Sequence, residues 1–302
     1  MHWLTTRFVI DLTQPRVMGI VNVTPDSFYD GGLHSDAMAA MAHCDALVAA
    51  GADMLDIGGE STRPGAVLPE LDEELARVLP VLRHAVTLGV PVSVDTSRPE
   101  LMRAALDLGV DIVNDVRALQ RPGALDCVAR HPQAGVCLMH MQGEPGTMQA
   151  AAVYADVVAE VCSFLAGRLA AARAAGIAVE RIVVDPGIGF AKTVVHNLEL
   201  LARQQELRAL GRPILVGWSR KSTLGTITGR PVGERLAASL AAALAAVQRG
   251  ATVLRVHDVA ATVDALKVWR CADRGTLVEF GTGAIHHESG SGRLKPTADN
   301  GR

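Results

Sequence analysis

Large rings are scarce in this chain: aromatic residues make up 3% of its 302 positions. Its core must therefore be built from Ala, Val, Leu and Ile. A charge excess is missing too. The net charge of −3 gives no electrostatic footprint for nucleic acid or an anionic membrane surface, so neither is expected as a partner. No apolar run approaches the ~20 residues needed to span a bilayer. The first ten residues hold Arg7 and a short apolar patch without a small-residue cleavage site, so a signal peptide is not expected. The five cysteines, Cys44, Cys127, Cys137, Cys162 and Cys271, show no CxxC spacing. That excludes a disulfide framework or a structural zinc site and reads as reduced thiols in a cytoplasmic protein.

What is present is a repeated pattern. Residues 16–32, RVMGIVNVTPDSFYDGG, begin as a buried strand and end on a polar group, Asn22, before a loop of turn formers. The same sequence of apolar strand, polar last residue, chemically rich loop and glycine-closed helix recurs down the chain. Strands are expected at 16–23, 54–58, 91–96, 112–116, 136–141, 182–185, 213–218 and 253–257. Helices are expected between them at about 34–50, 70–87, 97–108, 122–130, 151–175, 194–208 and 231–249, with a last one running to about 271. Ser97, with Glu100 three residues on, reads as a capping box. Regular alternation of strand and helix implies a parallel sheet. Eight units suggest an α/β fold of the (β/α)8 TIM-barrel type, in a single domain over 16–274, whose site lies at the strand C-terminal ends. Residues 1–15 read as a lead-in strand able to plug one end. Residues 275–302, rich in Gly, Ser and polar groups, read as a disordered tail. The polar strand ends are Asn22, Asp56, Asp95, Asn114, His140, Asp185, Ser219 and the pair Arg255/His257.

Six segments carry a resemblance: GIVNVTPDSFYDGG (19–32), GADMLDIGGESTRPGA (51–66), SVDTS (93–97), VVDPGIGF (183–190), SRKS (219–222) and RVHD (255–258). Together, and in this order, they resemble the dihydropteroate synthase family over about residues 16–272. The resemblance implies condensation of 6-hydroxymethyl-7,8-dihydropterin pyrophosphate with p-aminobenzoate, giving dihydropteroate and pyrophosphate for folate synthesis. It implies Mg²⁺ as cofactor, sulfonamides as competitors of the second substrate, and a homodimer.

For the pterin ring the resemblance implies Asp95, Asn114, Val116, Met139, Asp185, Phe190, Gly217, Lys221 and Arg255. A carboxylate suits the adjacent donors of an aminopyrimidine edge, and an asparagine donates and accepts at once. Asp185 has a second reading, a cap on the Asp-Pro-Gly turn that follows it. Arg255 is expected to stack on the ring or point at the diphosphate; otherwise it pairs with a carboxylate such as Asp258. The diphosphate falls to Asn22, Thr62, Arg63, Arg255 and His257, with Asn22 also the metal ligand or else a hydrogen bond closing its strand. Thr62, Arg63, Pro64, Phe190, Lys221 and Ser222 are implied for p-aminobenzoate.

The catalytic set implied is Asp95, Lys221, Arg63 and Asp30. Departure of the diphosphate before nitrogen attacks leaves positive charge on the pterin methylene, and Asp95 is suited to stabilise it. Asp56 is read as support for this group or for a loop. Trp218 is expected to narrow the pocket beside Ser219. Two motifs stay outside the reading: GIGFAK (187–192) superficially resembles a dinucleotide loop but lacks its third glycine, and HHE (286–288) sits in the tail without a partner. Alternatives are a corrinoid-linked pterin methyltransferase, which should lack the STRP and SRKS loops, and a pterin-binding relative without turnover.

Overall fold

The computed structural model describes residues 1–23, 32–60, 69–143, 152–277 and 285–287, the last three and 32–35 as backbone alone. Asp30, Thr62, Arg63 and Pro64 lie outside the described residues.

The chain opens with an antiparallel pair, β1 (His2–Leu4) and β2 (Phe8–Asp11). Eight parallel strands follow: β3 (Arg16–Asn22), β4 (Met54–Gly58), β5 (Val92–Asp95), β6 (Ile112–Asp115), β7 (Gly135–Met139), β8 (Ile182–Asp185), β9 (Ile214–Val216) and β10 (Ala251–Val256). They pair in chain order, and β10 returns to β3 with Arg255 opposite Met18, closing the barrel. The intervening helices are α1 (Gly32–Ala49), α2 (Leu71–Ala85), α3 (Pro99–Asp107), α4 (Ala124–Arg130), α5 (Val157–Ala174), α6 (Val194–Ala202), α7 (Ser222–Thr228) and α8 (Leu236–Gln248), with α9 (Val259–Arg274) last. The protein is a TIM barrel.

Strand side chains alternate between two faces. On the outward face, Val17, Val21, Leu55, Ile57, Val113 and Val184 join helix residues in one apolar layer. On the inward face, Met18, Met54, Ile112, Cys137, Val183, Leu215 and Val253 form a second cluster with Trp3, Phe8, Ile10 and Leu12. The β1–β2 pair is thus the floor of the barrel, a hairpin rather than a single strand. Trp3 is fully buried, and its indole Nε1 donates to the Arg181 carbonyl at 2.9 Å. A buried ion pair fixes the hairpin turn: Arg7 Nη2 lies 2.6 Å from Asp111 Oδ2, and Asp111 also accepts from the Arg7 and Val92 amides. Every oxygen of that fully buried carboxylate is therefore met.

Four local expectations are corrected. Ser97 does not cap α3; its hydroxyl donates to Asp115 Oδ1 at 2.6 Å, and Arg98 takes the cap position with no side-chain cap bond. The helix expected at about 231–249 forms as α8 but starts later, at Leu236, and a helix that was not expected, α7, starts directly at Ser222 and ends where the chain turns at Gly229 (φ +70°). Trp218 packs in the layer between sheet and helices at 2% exposure, so it does not narrow the mouth. Within the tail expected to lack structure, β11 (Ile285–His287) pairs antiparallel with β2.

Candidate active site

Two residues further along four of the strands, the inward face changes character. Above Met54 comes Asp56; above Ile112, Asn114; above Val183, Asp185; above Val253, Arg255; and β5 ends on Asp95. The pleat makes this step automatic: residues i and i+2 share a face, so a polar residue at a strand's C-terminal end points into the mouth.

Arg255 is the hub on one side. Its Nε donates to Asp56 Oδ2 at 2.5 Å and its Nη2 to Asp95 Oδ2 at 2.7 Å. Asn114 Nδ2 donates to the same Asp56 oxygen at 3.1 Å. The expected alternative pairing of Arg255 with Asp258 is not made; Asp258 pairs with Arg220 at 2.6 Å. The reason is reach: Arg255 points inward along the barrel, where two carboxylates face it. Burial alone would lower the guanidinium, but Asp56 and Asp95 hold it above its ordinary value. Burial, with Asp56 alongside, pushes Asp95 above the usual carboxylate range against the pull of Arg255.

Asp56 is the residue that motif reasoning undervalued. It is fully buried and joins Arg255 to Asn114. Its other oxygen, Oδ1, has no hydrogen-bond partner among the described residues, and neither does Ser93 Oγ at the opposing register position. Buried polar atoms left unmet in this way mark a place that a ligand or water completes. The signal was its place in the row of polar strand ends.

Across the mouth, Asp185 is buried at 6% exposure, and its Oδ1 accepts from the Gly187 amide at 2.7 Å. It therefore does cap the following turn, with its second oxygen left over. Burial pushes its carboxyl up to about 6, while the Gly187 amide, Lys221 and Lys192 pull the other way. Lys221 precedes α7, and burial with Arg255 nearby brings its ammonium down to about 8. Its Nζ lies 4.3 Å from the centre of the Phe190 ring, a cation–π contact. Phe190 packs with Val116, Met139, Met141 and Ala191 as an apolar wall. Gly217 follows β9, beside Arg255, where an added Cβ would meet the Arg255 carbonyl oxygen at 3.9 Å and Cβ at 4.0 Å, ordinary contact distances. Ser222, the first residue of α7, is exposed further out.

His257 follows β10. The Ser219 hydroxyl accepts from the His257 amide at 3.2 Å and lies 3.0 Å from Nδ1. Burial, Arg220 and Arg255 bring this imidazole down to about 4, so it is neutral near pH 7. If Ser219 spends its proton on Nδ1, Nε2–H is the free donor. Asn22 ends β3, half-buried, and no side-chain hydrogen bond holds it to another described residue. No cluster of three or more His, Cys, Asp or Glu side chains suited to a metal occurs among the described residues. One neutral carboxamide oxygen fits a magnesium ion whose shell is completed by substrate phosphate and water.

This geometry stands beside close relatives. Residues 18–257 match the pterin binding enzyme family. The dihydropteroate synthase of Neisseria meningitidis serogroup B is 54% identical over 273 residues, covering 88% of this chain and 96% of the relative. The chain belongs to the dihydropteroate synthase family. Solved structures of that family agree in fold. The Xanthomonas albilineans synthase with 4-aminobenzoic acid superposes with TM-score 0.83 at 52% identity, covering 89% of this chain and 98% of that one. The Burkholderia cenocepacia synthase complexed with 7,8-dihydropteroate gives 0.83 at 50% identity, covering 91% and 97%. The Yersinia pestis synthase with a sulfonamide drug gives 0.86 at 43% identity, covering 91% and 100%.

Proposed function

We propose that this protein is a transferase of folate biosynthesis, joining 6-hydroxymethyl-7,8-dihydropterin pyrophosphate to p-aminobenzoate and releasing pyrophosphate. The observation that carries the reading is the ring of Asp56, Asp95, Asn114, Asp185, Lys221 and Arg255 around one mouth, in a chain of this family. Three carboxylates there face two cations. The carboxylate of Asp95, held by Arg255 at the mouth, suits a pterinylmethyl group that turns cationic as its diphosphate leaves.

In this reading the free oxygen of Asp185 accepts from the aminopyrimidine edge, and Asn114 bonds the neighbouring edge. Lys221 donates to the pterin carbonyl. Arg255, its edge held by Asp56 and Asp95, offers its face to the ring, an interaction worth about 0.5–2 kcal/mol. The apolar wall of Val116, Met139 and Phe190 flanks the heterocycle, with Gly217 beside Arg255. His257 and Asn22 meet the diphosphate, joined by Thr62 and Arg63. A magnesium ion held by Asn22 would neutralise charge on that diphosphate. The methylene carbon–oxygen bond breaks with its electron pair going to the diphosphate, and Asp95 lies against the developing cation. The arylamine nitrogen then forms the carbon–nitrogen bond and gives its proton to water or diphosphate. Phe190, Lys221, Ser222 and Pro64 hold the benzoate, with Asp30 and Arg63 closing over it. Sulfonamides, which mimic that acid, compete there.

Five unpaired cysteines support a reducing, cytoplasmic compartment. No helix among the described residues is long and apolar enough to cross a membrane. Exposed Ile227, Val232 and Leu236, around the start of α8, support a homodimer through this face. The test is pyrophosphate release measured with and without p-aminobenzoate. Release that depends on the arylamine and yields dihydropteroate supports the reading; binding of the pterin with no release under any condition refutes it.

A further inference from the structure

The loop after β8 is short of side chains that could hold it: residues 186–191 read PGIGFA. Two buried side chains hold it: Asn197, whose Oδ1 accepts from the Gly189 amide at 2.8 Å, and Lys192, at 3% exposure, which makes the larger number of hydrogen bonds. Its Nζ lies 3.0 Å from the Gly187 carbonyl, 3.0 Å from the Phe190 carbonyl and 2.9 Å from His140 Nδ1, with the His140 carbonyl at 3.5 Å. Burial brings the Lys192 ammonium down to about 7 against the pull of Asp185; in its charged form it only donates, so Nδ1 accepts and the ring hydrogen sits on Nε2. Burial and the adjacent Lys192 bring His140 down to about 3, which keeps the ring neutral. The imidazole is itself held edge-on against Phe164, with centroids 4.9 Å apart.

The loop touches substrate-facing residues on both sides. Gly187 (φ +69°) donates its amide to Asp185, and a Cβ on it would fall 1.9 Å from the His140 carbonyl oxygen, so no other residue fits between loop and strand end. The His140 amide in turn donates to the Asp185 carbonyl. A Cβ on Gly189 would lie 3.1 Å from Lys221 Cδ, and Phe190 packs beneath the Lys221 ammonium. One buried side chain thus bonds both ends of a turn, at the Gly187 and Phe190 carbonyls, whose near face borders Asp185 and whose far face borders Lys221.

We propose that Lys192 is a positioning residue for the second substrate: by holding the Gly187–Phe190 turn against His140 it fixes Phe190 and Lys221 as the wall that receives the arylamine acid. Phe190 and Lys221 also border the pterin, but Asn114, Asp185 and Arg255, each anchored on its own strand, keep their hold on that ring without Lys192, so the larger loss falls on the second substrate. The inference rests on the assignment of Phe190 and Lys221 to p-aminobenzoate, and the experiment separates the two. The full chain carrying Lys192→Gln, His140→Asn, Phe190→Ala or Phe190→Ala with Lys192→Gln is compared in steady-state kinetics against both substrates, with pterin pyrophosphate affinity measured by fluorescence titration.

Lys192→Gln is expected to raise KM for p-aminobenzoate on the order of 10-fold while pterin affinity moves less than about 3-fold, and Phe190→Ala added to it is expected to raise KM no further, as for two residues acting through one contact. His140→Asn, which leaves both loop carbonyls bonded, shifts the same constant by a smaller factor. An unchanged KM in Lys192→Gln overturns the proposal, as do effects that multiply in the double variant or an equal loss of pterin affinity. Should Lys192→Gln not fold, a native KM in His140→Asn overturns it alone. An unchanged KM in Phe190→Ala refutes the benzoate assignment instead, whatever Lys192 does.

Discussion

The inside of the barrel has two levels built by the same strands. The lower holds Met18, Met54, Ile112, Val183 and Val253 against Trp3 and Phe8. The upper, one pleat away, holds Asp56, Asn114, Asp185 and Arg255. The lower level removes apolar surface from water and asks for nothing else. The upper buries charge, which stabilises a fold poorly unless paired, and leaves some polar atoms unmet. Stability and chemistry are thus assigned to opposite ends of the same strands, so substitutions at the two levels should separate cleanly in what they damage.

The strongest way to break this division is Trp3→Ala. Removing a fully buried indole should cost about 3–5 kcal/mol, read as a fall in thermal midpoint, with KM for both substrates within about 2-fold of native. Next comes Asp185→Ala, expected to weaken pterin binding on the order of 100-fold, about 3 kcal/mol, in calorimetry. Its isosteric partner Asp185→Asn sharpens the point. The folded carboxyl titrates near 6 against an ordinary 3.8. Between about pH 4 and 6 the folded state keeps a proton the unfolded chain has shed, so native stability falls as pH rises through that window. At pH 7 Asp185→Asn should therefore be more stable than native by on the order of 1–3 kcal/mol while losing pterin; a less stable Asp185→Asn would sink that argument. Asp56→Ala, which leaves Arg255 with one carboxylate and frees Asn114, should lower kcat/KM about 10- to 100-fold. The smallest effect is in pH: kcat/KM for the pterin should rise as Asp185 ionises near 6 and fall as Lys221 deprotonates near 8. Lys221→Arg should carry the basic limb upward.

The architecture was legible because both of its signals are local. Each strand is an apolar run ending on a polar group, and a glycine such as Gly51 (φ +93°) stops the helix before it. Most polar strand ends could be assigned to the mouth by counting along the pleat. What escaped depends on partners far apart in the chain. Ser97 looks like a cap until Asp115, 18 residues away, takes its hydroxyl. The start of α7 is hidden in STLGTIT, whose Thr and Ile residues favour strands and whose Gly225 lies against the Arg235 guanidinium. Lys192 gave no signal, since three of its four partners are backbone carbonyls, which every residue has.

The hairpin beneath the barrel has a consequence for assembly. Trp3 is translated some 250 residues before Val253, yet both belong to one cluster. The ring shuts around its stopper only when the final strand pairs with the first, so the plug and the closure join the two ends of the barrel's sequence, and contacts of such separation belong to slow folding.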